Sequence, residues 1–298
     1  GWPVCYCDQF KLLFNGVIWL RSVPLLQYAF MKLILSRKGF DSSAGGCPSP
    51  VFPDRSFYTL PIPDSRSRIT YGDIHHDGLN VGKLAADLTG DRRGAARKAH
   101  LDPDLIADAY PRETGWRPCL GQTGAAQGHL RKQQVGVGDL FLFFGLVRDV
   151  EKQGRRWQFV KQARPFHGLW GWLQIGEVYR IDELSDSDLG WARYHPHFHG
   201  QSDGGNTLYV ASDALQLEGR STGLPGAGVF ERLEDELRLT APDAASTTQW
   251  RLPGCFYPDS ADTAMSFHGN LARWSRVGEY CTLKSASRGQ EFVLDTSG

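Results

Sequence analysis

The sequence contains no Cys-x-x-Cys pair. Its six cysteines fall at Cys5 and Cys7 near the start and then singly at Cys47, Cys119, Cys255 and Cys281, a spacing that excludes a zinc-finger or disulfide framework and fits a reducing, cytoplasmic setting. Charge bias is missing as well. Lys+Arg and Asp+Glu stand at 33 each, so no bulk field draws the molecule to nucleic acid or to an anionic membrane, and any nucleic-acid contact must come from a local patch. The apolar runs near the start are broken by Asn15-Gly16 and Arg21, which leaves neither a membrane span nor a secretory h-region. Methionine is scarce, with only two residues. One of them, Met31, opens the strand-like Met31–Ser36, so residues 1–30 read as a leader or non-native extension ahead of a natural start, with a docked N-terminal helix as the competing reading. Residues 31–298 read as a single domain. Neither the Walker spacing nor the dinucleotide fingerprint occurs.

What is present is enough apolar material for a sizeable core: 298 residues, 41% hydrophobic and 12% aromatic. Two segments rich in β-branched and aromatic residues, Leu140–Val147 and Leu169–Ile181, flank a charged, turn-prone stretch at Lys152–Arg156, and this predicts a β-meander. Glycines at 138, 171 and 176 stand where a strand bends or another backbone comes close. Gly-Asp and an apolar run, followed by Gly-x-x-x-Ile-Gly-Glu-Val, resembles the barrel core of the PUA-like superfamily, whose members often bind RNA or modified DNA bases. The expected class is α+β: a mixed, mostly antiparallel curled sheet or PUA-like barrel core, with flanking helices and long loops. The stretch after Ser36, dense in Gly, Pro, Ser and Asp, reads as a long loop laid over the fold.

Several polar motifs stand out from this scaffold. Arg37, Lys38 and Asp41 follow the first strand beside a flexible glycine and an aromatic, a way to hold a phosphate or a stacked base, or simply solvated charge beside a buried Phe. In His100-Leu-Asp102-Pro103-Asp104, Asp102 reads as a helix N-cap, with Pro103 at the first helical position and Asp104 in the first turn. His100 has no part in that cap and is a site candidate with Asp102 or Asp104. The segment from Gly121 to Leu130 carries Gln122, Gln127 and His129 among three glycines, either an anion-binding nest with amides able to read a base edge or a tight helix-packing turn. His195, His197 and His199 alternate around Pro196, which predicts an extended run with the imidazoles on one side. Two such imidazoles plus a carboxylate or third His suit a divalent transition metal, so His195 and His197 are the candidate metal ligands. Arg288, Gln290 and Glu291 crowd the final strand as further base or phosphate contacts.

Taken in order, SRKGFDSSAGG, HLDPDL, GQTGAAQGHL, GDLFLFFG, GWLQIGEV, YHPH, LYVAS and LKSASRGQEFVLD resemble the nucleotide modification associated domain 3 family over Met31 to about Asp295. The resemblance implies a component of a phage or bacterial DNA-modification system, with DNA or a nucleotide as partner, other modification enzymes nearby and no membrane. Two functions then stand as expectations. One is an enzyme acting on a nucleobase or nucleotide, with His100, Asp102, His129, His195 and His197 as its chemical residues. The other is a non-catalytic reader that holds a modified or flipped base in a PUA-like pocket.

Overall fold

The computed structural model describes residues 31–200, 203–217, 219–286 and 289–296. The reading of residues 1–30 as a leader and that of Arg288 as a phosphate contact therefore lie outside the described residues.

Alternating and continuous apolar runs become strands in chain order: β1 (Lys32–Arg37), β2 (Ser49–Val51), β3 (His75–His76), β4 (Leu79–Asn80) and, after helix α1 (Val81–Thr89), β5 (Cys119–Gln122). Helix α2 (Gly124–Lys132) leads into β6 (Leu140–Gln153), β7 (Arg156–Phe159) and β8 (Phe166–Arg180). The chain continues through β9 (Thr207–Ala211), β10 (Ala214–Leu217), β11 (Arg220–Pro225) and β12 (Ala227–Val229). It ends with β13 (Gln249–Pro253), β14 (Trp274–Val277), β15 (Tyr280–Lys284) and β16 (Glu291–Asp295). The architecture is α+β and sheet-rich, with two α-helices among the described residues.

Among the described residues the main sheet has nine strands. Its backbone-paired path runs β16-β1-β6-β8-β9-β5, with β2 and β7 also on β6 and β12 on β8. The β1–β6 and β2–β6 pairs are parallel and the rest antiparallel. The charged Lys152–Arg156 stretch turns β6 into β7 as a hairpin, and β8 returns to pair with the start of β6 and not with β7, so the expected meander is a hairpin with β8 added on β6.

Strong curvature follows from one side-chain bond. Laid flat at about 4.8 Å per strand, β16 and β5 would stand roughly 24 Å apart. Yet Gln122 of β5 donates to Glu291 of β16 at 2.5 Å. The sheet curls until its two terminal strands meet through side chains, and no backbone pairing among the described residues closes it into a barrel. Register shifts in β6 at Phe143/Phe144 and in β8 at Ile175/Glu177 mark the bends. At Gly176 a Cβ would come within 2.7 Å of Ser212 Cα, so only glycine lets β8 approach that backbone.

The curled sheet buries Leu33, Leu35, Phe141, Phe143, Phe144, Tyr209, Trp250 and Phe292 in one core. A second core, with Phe40, Tyr58, Leu60, Tyr71, Val81 and Leu84, lies under the long loop and α1. That loop is irregular over most of its length, but it is not unbroken: Ser49–Val51 form β2 on β6 within it, and its own buried aromatics pin the rest.

Two local expectations are corrected. No α-helix starts at Pro103; the segment stays extended, Asp104 pairs its backbone with Cys119, and only a single 3-10 turn forms at Ala107–Ala109. The Asp102 carboxylate takes the Gly121 N–H at 2.6 Å rather than capping its own chain. Likewise, His195–His199 is not a strand. Proline restrains the residue before it, and His195 is indeed extended, but Pro196 itself suits the first position of a helical turn, and Pro196–Phe198 form one.

Candidate functional site

Three elements remote in sequence bring their side chains together. His100 and Asp102 come from the extended segment before β5, His197 from the 3-10 turn ahead of β9, and Gly121 from β5 provides the floor. The ligand-type atoms of His100, Asp102 and His197 all lie within 4.8 Å of one another. Asp102 Oδ2 stands 3.8 Å from Nε2 of both histidines. The side chains of Asp102 and His197 are 3% and 8% exposed and that of His100 18%, so solvent reaches the cluster past His100.

The hydrogen bonds behind these rings determine which nitrogen faces the cluster. His100 Nδ1 meets Asp64 Oδ2 at 2.9 Å. A carboxylate can only accept, so Nδ1 carries a proton, and in that tautomer Nε2 is the lone-pair nitrogen. The same logic holds for His197. Asn206 donates its amide to the His197 carbonyl at 2.8 Å, which orients its Oδ1 toward His197 Nδ1 at 2.7 Å. Burial drives the His197 imidazole down to about 4, so the ring is neutral at pH 7 with its Nε2 lone pair turned to Asp102. Two imidazoles thus face one buried carboxylate with acceptor atoms, each backed by an anchoring acceptor. This is the arrangement metal-binding histidines require. An ion about 2.1 Å from each ligand fits between atoms up to about 4.2 Å apart, as the two 3.8 Å separations from Asp102 Oδ2 are.

His195 occupies a different place. It is fully buried, and its Nδ1 accepts the His197 N–H at 3.4 Å. Its Nε2 lies 3.2 Å from Asp102 Oδ1, off the line of a hydrogen bond, whereas the other two rings approach Oδ2. Burial alone would raise the Asp102 carboxyl. Its contact with His195, with the neighbouring imidazoles and the Lys38 cation adding to it, outweighs that and holds it well below the usual carboxylate range.

A second polar group adjoins the first. Lys38 Nζ lies 3.5 Å from Glu291 Oε1, which also accepts from Gln122. Glu291 is 1% exposed, and burial, opposed by Lys38, pushes its carboxyl up. Asp102 feels Lys38, and Glu291 feels Asp102. The fold therefore gathers Lys38, His100, Asp102, Gln122, His195, His197 and Glu291 into one buried polar region.

The other candidates go elsewhere. Asp41 closes its own turn onto Ser43 and Ala44. The Arg37 guanidinium packs over Phe144 and donates to the Gly289 carbonyl. Gln290 is exposed and supplies only its carbonyl, to the Arg37 N–H. Gln127 accepts from the Tyr209 hydroxyl at 2.9 Å, and His129 pairs with Ser266 and stacks on Phe267. Asp104 spends both oxygens on Arg112, at 2.6 and 2.8 Å, and also accepts from Tyr194. The glycine-rich turn into α2 does aim donors at an anion, but that anion is the Asp203 carboxylate, which accepts from the Gly124 N–H at 2.7 Å and from the Thr123 hydroxyl.

Sequence reasoning missed Asp64 and Asn206, the two acceptors that set the imidazole tautomers. Neither belongs to a periodic or spaced motif: Asp64 lies 36 residues from His100, and Asn206 nine residues from His197 beyond an irregular stretch. No curated protein and no solved structure matches the chain. The family model of nucleotide modification associated domain 3 matches residues 32–295, nearly all of the described chain, and the protein belongs to that family.

Proposed function

We propose that the protein is a metal-dependent enzyme of nucleotide or DNA-base modification, with His100, Asp102 and His197 as the protein ligands of one divalent transition ion. The observation that carries this reading is the pair of Nε2 atoms, each 3.8 Å from a buried Asp102 oxygen and each backed by an acceptor on Nδ1. Membership of the nucleotide modification associated domain 3 family supports the substrate class. Two histidines and one carboxylate leave coordination positions open, and an ion held there supplies Lewis-acid polarisation or an activated oxygen ligand.

The chain's own residues have distinct parts. The Gly121 N–H holds Asp102 Oδ1 and the His195 ring packs against that same oxygen, which leaves Oδ2 for the ion. In this reading His195 is a positioning residue and not a ligand. Lys38 offers a cation beside the cluster to an anionic or carbonyl oxygen of the substrate, with Glu291 balancing its charge until substrate enters. Gln122 fixes Glu291 on its other side.

The test is mass spectrometry of nucleosides and digested DNA after incubation with iron-, manganese- or zinc-reconstituted protein. A new base species that disappears with chelator and in His197→Ala is the expected result. Saturable binding of nucleoside or DNA with no conversion under any metal would replace this reading with that of a base reader.

A further inference from the structure

A cleft of about 690 Å³ opens on the other side of the segment that carries His100 and Asp102. Leu101, Pro103, Asp104, Leu105 and Ile106 line it, so one stretch of chain serves both the polar cluster and this cavity. Its volume lies in the range of small-molecule sites and far exceeds what an ion or a lone phosphate needs. Aromatic rings dominate the walls: Phe52, Tyr58, Trp157, Trp170 and Phe230. Phe52 packs edge-on to Trp157 with centroids 4.8 Å apart, and Tyr58 lies tilted over His76 at 4.6 Å, so the rings brace one another in place. Rigid aromatic walls favour a flat ligand.

The charge around this cleft narrows the ligand further. Among the described lining residues, Asp54, Asp77 and Glu231 contribute carboxylates against one cation, Arg232. Burial lowers the His76 imidazole, which keeps it neutral at pH 7. Asp104 is already neutralised by Arg112. A phosphate would meet net negative charge here, whereas N–H donors would meet groups that can only accept.

We infer that this aromatic, acid-rimmed cleft binds an amino-bearing nucleobase, entered base-first with any phosphate held away from the rim. The inference rests on the nucleotide-modification reading and adds to it a base-binding pocket on the face of this segment opposite the proposed centre. Adenine, cytosine and guanine carry the exocyclic amine that the carboxylates can accept from; thymine does not.

Tryptophan fluorescence and calorimetry read the binding directly, with adenosine, cytidine, guanosine and thymidine deoxynucleosides, their 5′-monophosphates and a short single-stranded oligonucleotide as probes. The amino-bearing nucleosides should bind more tightly than deoxythymidine, and each more tightly than its monophosphate at low salt. Trp157→Ala should weaken binding about tenfold or more while Trp157→Phe retains it, and Asp54→Asn with Glu231→Gln should close the gap between nucleoside and monophosphate. Equal binding of the oligonucleotide and the nucleoside would place an extruded base in the pocket; binding of the nucleoside alone would place the free species there. Both outcomes support the pocket. Failure of all four nucleosides to bind the folded protein, or binding unchanged in Trp157→Ala, would overturn it. Metal content separates this result from the preceding proposal, since Trp157→Ala should keep its ion and His197→Ala should keep its nucleoside.

Discussion

Replacing Gly121 with alanine would place a methyl carbon 2.2 Å from His197 Cδ2, 2.4 Å from Cγ and 2.7 Å from Nε2. Carbon atoms rest about 3.5–4.0 Å apart, so the imidazole must retreat by more than about 1 Å. It has little freedom to do so, because Asn206 holds both its Nδ1 and its carbonyl. The backbone at Gly121 is not left-handed, so the added methyl acts through this collision and not through its own conformation. Overpacking of this kind costs about 1–3 kcal/mol of stability. A displaced ligand should lower metal affinity by on the order of 10- to 100-fold. Gly128, seven residues on in the interior of α2, is the internal control: a Cβ there meets nothing within 4 Å, and alanine should add about 0.5–1 kcal/mol. Urea melts of the metal-free proteins give the stability arm, and competition against a chromophoric chelator gives the affinity arm. If Gly121→Ala bound metal within about twofold of the parent, the His197 Nε2 would not be where the ion sits.

Asn206→Ala frees His197 to adopt the other tautomer and should cost about 10- to 100-fold in metal affinity, read by the same competition assay. Arg112→Met leaves Asp104, whose side chain is fully buried, without its bidentate partner. A loss of about 3–5 kcal/mol in urea unfolding is expected, with no change in which ion is bound. Acid should destabilise the fold in a defined window. Burial drives His167, His197 and His268 each from 6.5 to about 4. Between those values the unfolded chain binds protons that the folded one refuses, so stability is full above about pH 6.5 and falls as pH drops toward 4, at about 1.4 kcal/mol per unit for each ring. A melting temperature flat across pH 7 to 4.5 would contradict this.

The sequence exposes the sheet well because its signals are local. The apolar runs behind β1, β6, β8 and β9 alternate or persist within a few residues, and Gly176 marks a true close approach of β8 to Ser212. Where local and tertiary demands compete, the sequence misleads. Asp102-Pro103 has the chemistry of a helix start, but the Asp102 carboxylate is taken by a backbone donor nineteen residues away, at Gly121, and by histidines from beyond residue 190. Of the three alternating histidines, His197 stands with His100 and Asp102, and His195 sits against the other carboxylate oxygen. Spacing alone could not distinguish those places. Nor could it reveal Asp64 or Asn206, whose importance lies entirely in which imidazole nitrogen they meet. Lys38, Gln122 and Glu291 converge because the sheet curls far enough to bring β16 to β5, a property of nine strands together.

Elemental analysis of untagged protein, purified and then reconstituted under anaerobic conditions with iron, manganese or zinc, bears most directly on the proposed centre. About one equivalent of a transition ion is expected in the parent and in His129→Ala, whose ring lies against Ser266 and Phe267, and none in His100→Ala or His197→Ala. Retention of the ion in a folded His197→Ala protein, or refusal of every ion by the folded parent, would contradict a metal centre at His100, Asp102 and His197.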